Sequence, residues 1–391
     1  MSDIAKLGFD KEVQKRAKEY NWHRLKLSIL VFALSFLAII LILKFEISTA
    51  LKDFITQYTS MEWVIIALFL LIGYSSVWVI MLPLNFYEDF LLEHRYDLST
   101  QTGRSWIFDQ LKGLILSMVL ILSVVELVYY LLREVSEFWW IVSWVFMTIF
   151  SIIMAYIAPV LLMPIFYKYE PISDGDLRKR LLGLADKANV KAVGVFKMKV
   201  GVKTKRAVGA LAGLFRTRRI LLSDTLLENY TTDEIEGIIG HELGHHVYKH
   251  IGKILIEGSI FMFIGLFLAD QLMEGIILYF GFKEISDIAA LPLFGLFFAI
   301  FFMIISPIEN TLSRRAEGQA DQYELELVQK PDAFISSMTR LCDQNLRDAD
   351  PHPLIEFLFY DHPSGKNRVE QAMEFKLNIQ TNTVNMPIVG K

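Results

Sequence analysis

The stretch IIGHELGHHVYKH, Ile238–His250, places three of the chain's eight histidines within six residues and a fourth four positions further on. On an α-helix, residues four apart are offset by about 40°, so His241 and His245 project from one face and can grip a single ion through their imidazoles. Glu242 points beside that ion, where a carboxylate can take a proton from water that the ion activates. The run TTDEIEGIIGHELGHHVYKH reads as one helix, with Thr231 and Glu234 forming a capping box at its start. On that helix His246 is turned by about 100° from His245, and His250 lies opposite His241. Neither can join the same ion, and both are assigned structural or supporting roles.

On both sides of this segment the chain becomes apolar. Hydrophobic residues make up 53% of its 391 positions, too many for an ordinary soluble protein. A transmembrane helix needs roughly 20 apolar residues, and six stretches qualify. They run from about Leu25 to Leu43, Trp63 to Phe86, Leu111 to Leu132, Phe138 to Phe166, Ile254 to Phe280 and Ala289 to Ile308. Basic residues cluster before the first span, between the second and third, in the loop from Lys168 to Lys253, and after Arg314, whereas Arg133 and Lys283 stand alone on the other side. The positive-inside rule therefore places the histidine helix at the cytoplasmic face. No small-residue cleavage site follows the first span, which reads as a retained anchor. The balance of 39 basic against 43 acidic residues gives no case for nucleic-acid binding, and the single cysteine, Cys342, excludes an intrachain disulfide and a cysteine-based metal site.

The fold class expected is mainly α: a polytopic α-helical membrane protein with a cytoplasmic catalytic region containing a small β-sheet. Residues 1–166 form a membrane region of four helices, 167–253 a cytoplasmic loop carrying the histidine helix, 254–309 two further spans, and 310–391 a cytoplasmic C-terminal region. In the loop, VGVFKMKV and RRILLSD read as strands. A catalytic zinc takes three protein ligands and keeps one position open, so the chain must supply a carboxylate. In ENTLSRRAEGQADQYELEL, Glu317 and Asp321 share a helix face. Spacing alone leaves open which of them reaches the ion and which accepts a hydrogen bond from a ligand histidine.

GHELGHH followed by SRRAEGQAD, with two hydrophobic spans between them, resembles the type I CAAX prenyl endopeptidases, integral-membrane zinc metallopeptidases of the gluzincin group. PLNFYEDFLLEHRYDLSTQT, TRRILLSDTLL and FYDHPSGKNRVEQ are similar to further segments of that family. The resemblance implies one Zn2+ per chain, held by His241, His245 and Glu317, with Asp321 supporting the site and His362 assisting near the reacting carbonyl. It also implies that Ala207, Val208, Gly209, Ala210 and Leu211 belong to an edge strand that pairs with the substrate backbone. Relatives usually carry Asn-Ala where this chain has Val208 and Gly209. Eukaryotic members have one span more, so a prokaryotic plasma-membrane member is expected.

Glu126, Glu257, Asp270 and Glu274 interrupt apolar runs and should face an interior, because an acid facing lipid is costly. The expected function is a zinc endopeptidase cleaving peptides or membrane-associated proteins, lipidated or not, at the cytoplasmic face, with membrane lipid around it. Two readings compete: a membrane-protein quality-control metalloprotease, and a non-catalytic metal-containing chamber protein or transporter. An intact Glu242 argues against the latter, since a structural zinc needs no base.

Overall fold

The computed structural model describes residues 2–173, 175–213 and 218–384. Six of its helices are long and apolar enough to cross a membrane. Helix α1 (Lys11–Lys44) is followed by the short amphipathic α2 (Ile47–Thr56), then by α3 (Glu62–Asn85), α4 (Gly103–Glu134) and α5 (Trp139–Ile157). The last two spans are α8 (His250–Tyr279) and α9 (Leu291–Val328), and between the two groups lie α6 (Asp176–Lys187) and α7 (Thr232–Val247). The tail adds α10 (Pro331–Gln344) and α11 (Gly365–Val384). All six predicted spans are present; the fourth keeps its expected length, and the others are extended at one or both ends.

Two spans lead into π-helical turns, Phe86–Leu92 and Ala158–Leu162, with Pro83 just before the first and Pro159 inside the second. Proline lacks the N–H that the α-helical ladder needs, and a wider turn absorbs the break. Lys52 reaches Asp287 at 2.8 Å and Arg133 lies 3.9 Å from Glu62, so the connections after the first, third and fifth spans meet at one end of the bundle. At the other end Arg24 pairs with Glu88, Arg206 with Glu93, and Lys18 with Asp348. The alternation read from the basic residues is thus the alternation of the fold.

The membrane core packs Ile66 and Phe69 of α3, Tyr129 of α4, Trp139 of α5, Met273 and Ile277 of α8, and Leu293 and Phe294 of α9. Many outward residues, such as Ile80, Ile115, Ile256 and Ile304, stay exposed, as lipid-facing side chains must. Of the four acids in apolar runs, Asp270 accepts a hydrogen bond from Trp139 Nε1 at 2.7 Å. Glu126 and Glu257 are half-buried, while Glu274 is exposed, so burial in a protein interior is reached in full by none of them.

At the catalytic end, strands β1 (Tyr169–Pro171), β2 (Val195–Met198), β3 (Gly209–Ala212) and β4 (Arg219–Ser223) form a sheet in the order β1-β2-β4-β3. Strand β2 runs parallel to β4, and β1 and β3 are antiparallel edges. Its buried face, with Val195, Ile220 and Leu222, packs on Leu181 of α6 and on Ile235, Ile239 and Leu243 of α7. Two predicted strands appear as β2 and β4. The boundary expected between residues 309 and 310 falls inside the unbroken helix α9, so one rigid rod carries both a span and the carboxylates beyond it.

Candidate active site

Helix α7 begins as its sequence dictates. Thr231 Oγ1 accepts from the Glu234 N–H, and the Glu234 carboxylate accepts from the Thr231 N–H at 2.7 Å, which completes the capping box. Burial alone would raise the Glu234 pKa, but hydrogen bonds from Ser336, Thr231 and Arg340 outweigh it and hold the carboxyl below its usual range. Arg180 of α6 and Lys330 both bind Asp233 and Glu236, so the first turn of α7 is tied to α6 and to the start of α10.

The other end corrects one expectation. Helix α7 stops at Val247, Lys249 adopts a left-handed conformation, and His250 opens α8 instead of continuing the histidine helix. The reversal brings His250 back beside His245, with the two Nδ1 atoms 3.0 Å apart. On a continued helix it would have pointed away.

His241 Nε2 and His245 Nε2 lie 3.1 Å apart, and Glu317 reaches the first through Oε2 and the second through Oε1, both at 3.2 Å. Two imidazole nitrogens and one carboxylate thus converge on one point, at separations close to the roughly 3.3–3.6 Å edges of a tetrahedral site with bonds of about 2.0–2.2 Å. Glu317 Oε2 is buried without a hydrogen-bond partner, as an oxygen reserved for a cation would be. The rear nitrogens are occupied. His241 Nδ1 is 2.8 Å from Asp321 Oδ1. His250 donates its Nε2–H to Gln319 Oε1 at 3.1 Å, which leaves its Nδ1 to accept from His245 Nδ1–H. In their neutral forms both rings are therefore held in the tautomer that leaves Nε2 free for an ion. Burial would lower the His241 pKa, but Asp321 and Glu317 on either side of the ring outweigh it and push the value up to about 10, so protons compete with a cation for Nε2.

Glu242, half-buried beside the histidines, accepts from the Leu211 N–H at 3.3 Å and so joins α7 to the edge strand. His362 Nε2 lies 3.4 Å from Glu317 Oε2, while its Nδ1 is 2.7 Å from Asp361 Oδ1. Of the expected strand residues, Gly209, Ala210 and Leu211 are in β3. Ala207 and Val208 precede it, although Val208 still exchanges hydrogen bonds with Ser223, donating to Oγ and accepting from N–H. Val208, Gly209, His241, Glu242 and His362 all line one cavity of about 650 Å³. His246 is half-buried, with Arg218 as its charged neighbour.

Arg368 was not singled out by the sequence reading, and it completes the cluster. Its guanidinium meets both Asp321 oxygens, at 2.7 and 2.5 Å, with both residues buried. A buried acid demands a cationic partner, and that requirement was the one available signal for Arg368 in FYDHPSGKNRVEQ.

Two histidines and a carboxylate around one point, with a further carboxylate beside them, set at one end of a membrane bundle, define the class of membrane metallopeptidases. Comparison with known proteins agrees. Residues 3–168 match the family model described as CAAX prenyl protease N-terminal, five membrane helices, and residues 171–376 match that of peptidase family M48. An uncharacterized metalloprotease of Bacillus subtilis, YhfN, is 31% identical over 71% of this chain and 66% of its own length. The CAAX prenyl protease 1 homolog of Arabidopsis thaliana is 30% identical over 72% and 67% respectively, so the matches span about two thirds of these relatives. The crystal structure of Ste24p from S. mikatae shares the fold, with a TM-score of 0.84 at 23% identity, covering 93% of this chain and 89% of that one. The chain belongs to peptidase family M48, in its branch of membrane metalloproteases related to the CAAX prenyl proteases. Where that N-terminal model is described with five membrane helices, the described residues here contain four spans before residue 168.

Proposed function

We propose that this chain is a zinc-dependent endopeptidase in which His241, His245 and Glu317 hold the metal and Glu242 moves the proton. The carrying observation is the meeting of His241 Nε2, His245 Nε2 and the Glu317 carboxylate at one point, inside a cavity that Glu242 also lines. When bound, the zinc ion supplies Lewis acidity, polarising the scissile carbonyl and activating water. A peptide strand adds to the free edge of β3 through main-chain hydrogen bonds, which position its carbonyl. Glu242 takes the proton of the attacking water and delivers it to the leaving amine. His362 donates a hydrogen bond to the oxyanion of the tetrahedral intermediate. Asp321, anchored by Arg368, holds the His241 ring in orientation.

The relatives named CAAX prenyl proteases make a C-terminal tail bearing an isoprenoid the first substrate to test. The positive-inside pattern supports a site at the cytoplasmic face, and one span fewer than the eukaryotic members supports a prokaryotic plasma membrane. In purified protein, Glu242→Gln should keep about one zinc per chain while hydrolysis of prenylated and unprenylated peptides falls by about 10²- to 10⁴-fold. Wild-type rates in that variant, or wild-type protein without stoichiometric metal, would overturn the reading.

A further inference from the structure

A second cavity, of about 390 Å³, opens at the catalytic end of the bundle, between the first turns of α4, the segment Pro164–Lys168 and Lys203. Lys112, Lys168 and Lys203 line it with a single acid, Asp109. Asp109 Oδ2 is 2.6 Å from Lys203 Nζ, Oδ1 is 3.4 Å from Lys112 Nζ, and Gln101 Nε2 donates to Oδ2 at 2.7 Å. One carboxylate serves two ammonium groups, so one of their charges stays uncompensated. Lys168 is exposed and has no ion-pair partner among the described residues.

Two of the three cations are held in place. Lys203 donates to the Phe166 carbonyl at 2.8 Å and Lys112 to that of Ile165 at 3.2 Å, and the Lys203 ammonium stands 4.9 Å from the Tyr167 ring centroid. Close by on the same two spans, Ile107, Phe108, Ile115, Leu161 and Ile165 are exposed apolar side chains. A fixed cationic pocket where two spans end, flanked by an apolar surface, matches a glycerolipid whose phosphate sits among ammonium groups while its acyl chains lie on the protein. A zwitterionic lipid brings its own cation and gains less, so the uncompensated charge selects a net negative headgroup.

We propose that this cavity binds the phosphate headgroup of an anionic phospholipid of the surrounding bilayer. Lys203 lies one residue before Thr204, which bridges to Ser99, and five before Val208, where the pairing with Ser223 begins. The bound phosphate therefore also braces the turn that leads into β3.

The test is native mass spectrometry of the full chain in detergent, offered phosphatidylglycerol or phosphatidylcholine with identical acyl chains. Phosphatidylglycerol should be retained at least about tenfold better, and each lysine removed should cost about fivefold. Lys168→Gln tests this without disturbing any ion pair, Lys112→Gln/Lys168→Gln should show the larger loss, and Lys187→Gln on α6 should match wild type. Equal retention of the two lipids, wild-type retention by Lys168→Gln, or complete displacement by millimolar inorganic phosphate would overturn the proposal, the last by making it a free-phosphate site.

Discussion

Behind His241 and His245 stand different kinds of support: the ion pair of Asp321 with Arg368 behind His241, and the neutral relay of His250 and Gln319 behind His245. The two carboxylates of α9 should therefore fail differently when removed. Glu317→Ala deletes the anion proposed to face the ion, so metal should be lost on dialysis while the fold persists. Asp321→Asn should keep the metal with affinity reduced about 10- to 100-fold. It should also lower stability by about 3–5 kcal/mol, because the buried Arg368 charge loses its partner. Zinc titration and thermal unfolding of both variants separate these outcomes. Tighter zinc binding by Glu317→Ala than by Asp321→Asn would exchange their roles.

At the scale of elements, the site depends on how closely α7 approaches α9. Gly237, Gly240 and Gly244 lie along the face of α7 that meets α9, and a Cβ added at Gly244 would sit 3.0 Å from Ala320 Cα and 3.2 Å from its carbonyl oxygen. Backbone atoms cannot swing aside as a long side chain can. Gly244→Ala should therefore push the helices apart, costing about 1–3 kcal/mol and weakening metal binding by drawing Glu317 away from His245. Gly252→Ala, where nothing lies within 4 Å, should leave both properties unchanged. Indistinguishable zinc affinities for the two variants would show that the glycine face does not set the separation. The same scale holds what was hard to read. Strand β1 has three residues and ends in Pro171, too short for a period of two to register, and the left-handed Lys249 carries no glycine to announce the turn.

For the whole molecule, the catalytic loop, the N-terminus and the tail share one end of the bundle, tied by contacts such as the Asp10 N–H donating to Asp343 Oδ2 and Gln344 Nε2 donating to the Lys205 carbonyl. The structure relates these parts to one another, and the proposed orientation in the membrane rests on the basic residues. Cys342, the chain's one cysteine, is buried and should not react in the folded protein. In intact cells, a membrane-impermeant thiol reagent should label cysteines introduced at the exposed positions Ser136 and Lys283, but not those at Lys179 and Glu370. The reverse pattern would place the metal site on the outer face.

The sequence by itself determined the six spans, their alternation, the capped helix and the pairing of His241 with His245. Each depends on the length, charge or period of one continuous segment, which helix geometry converts directly into position. The Glu317 contact, the return of His250, the Arg368 anchor and the reach of Glu242 to β3 were decided only by tertiary structure. Each joins residues whose distance depends on how two elements pack. At α7 and α9 that distance is set by side chains as small as hydrogen, a property of the interface between the helices that neither helix carries alone.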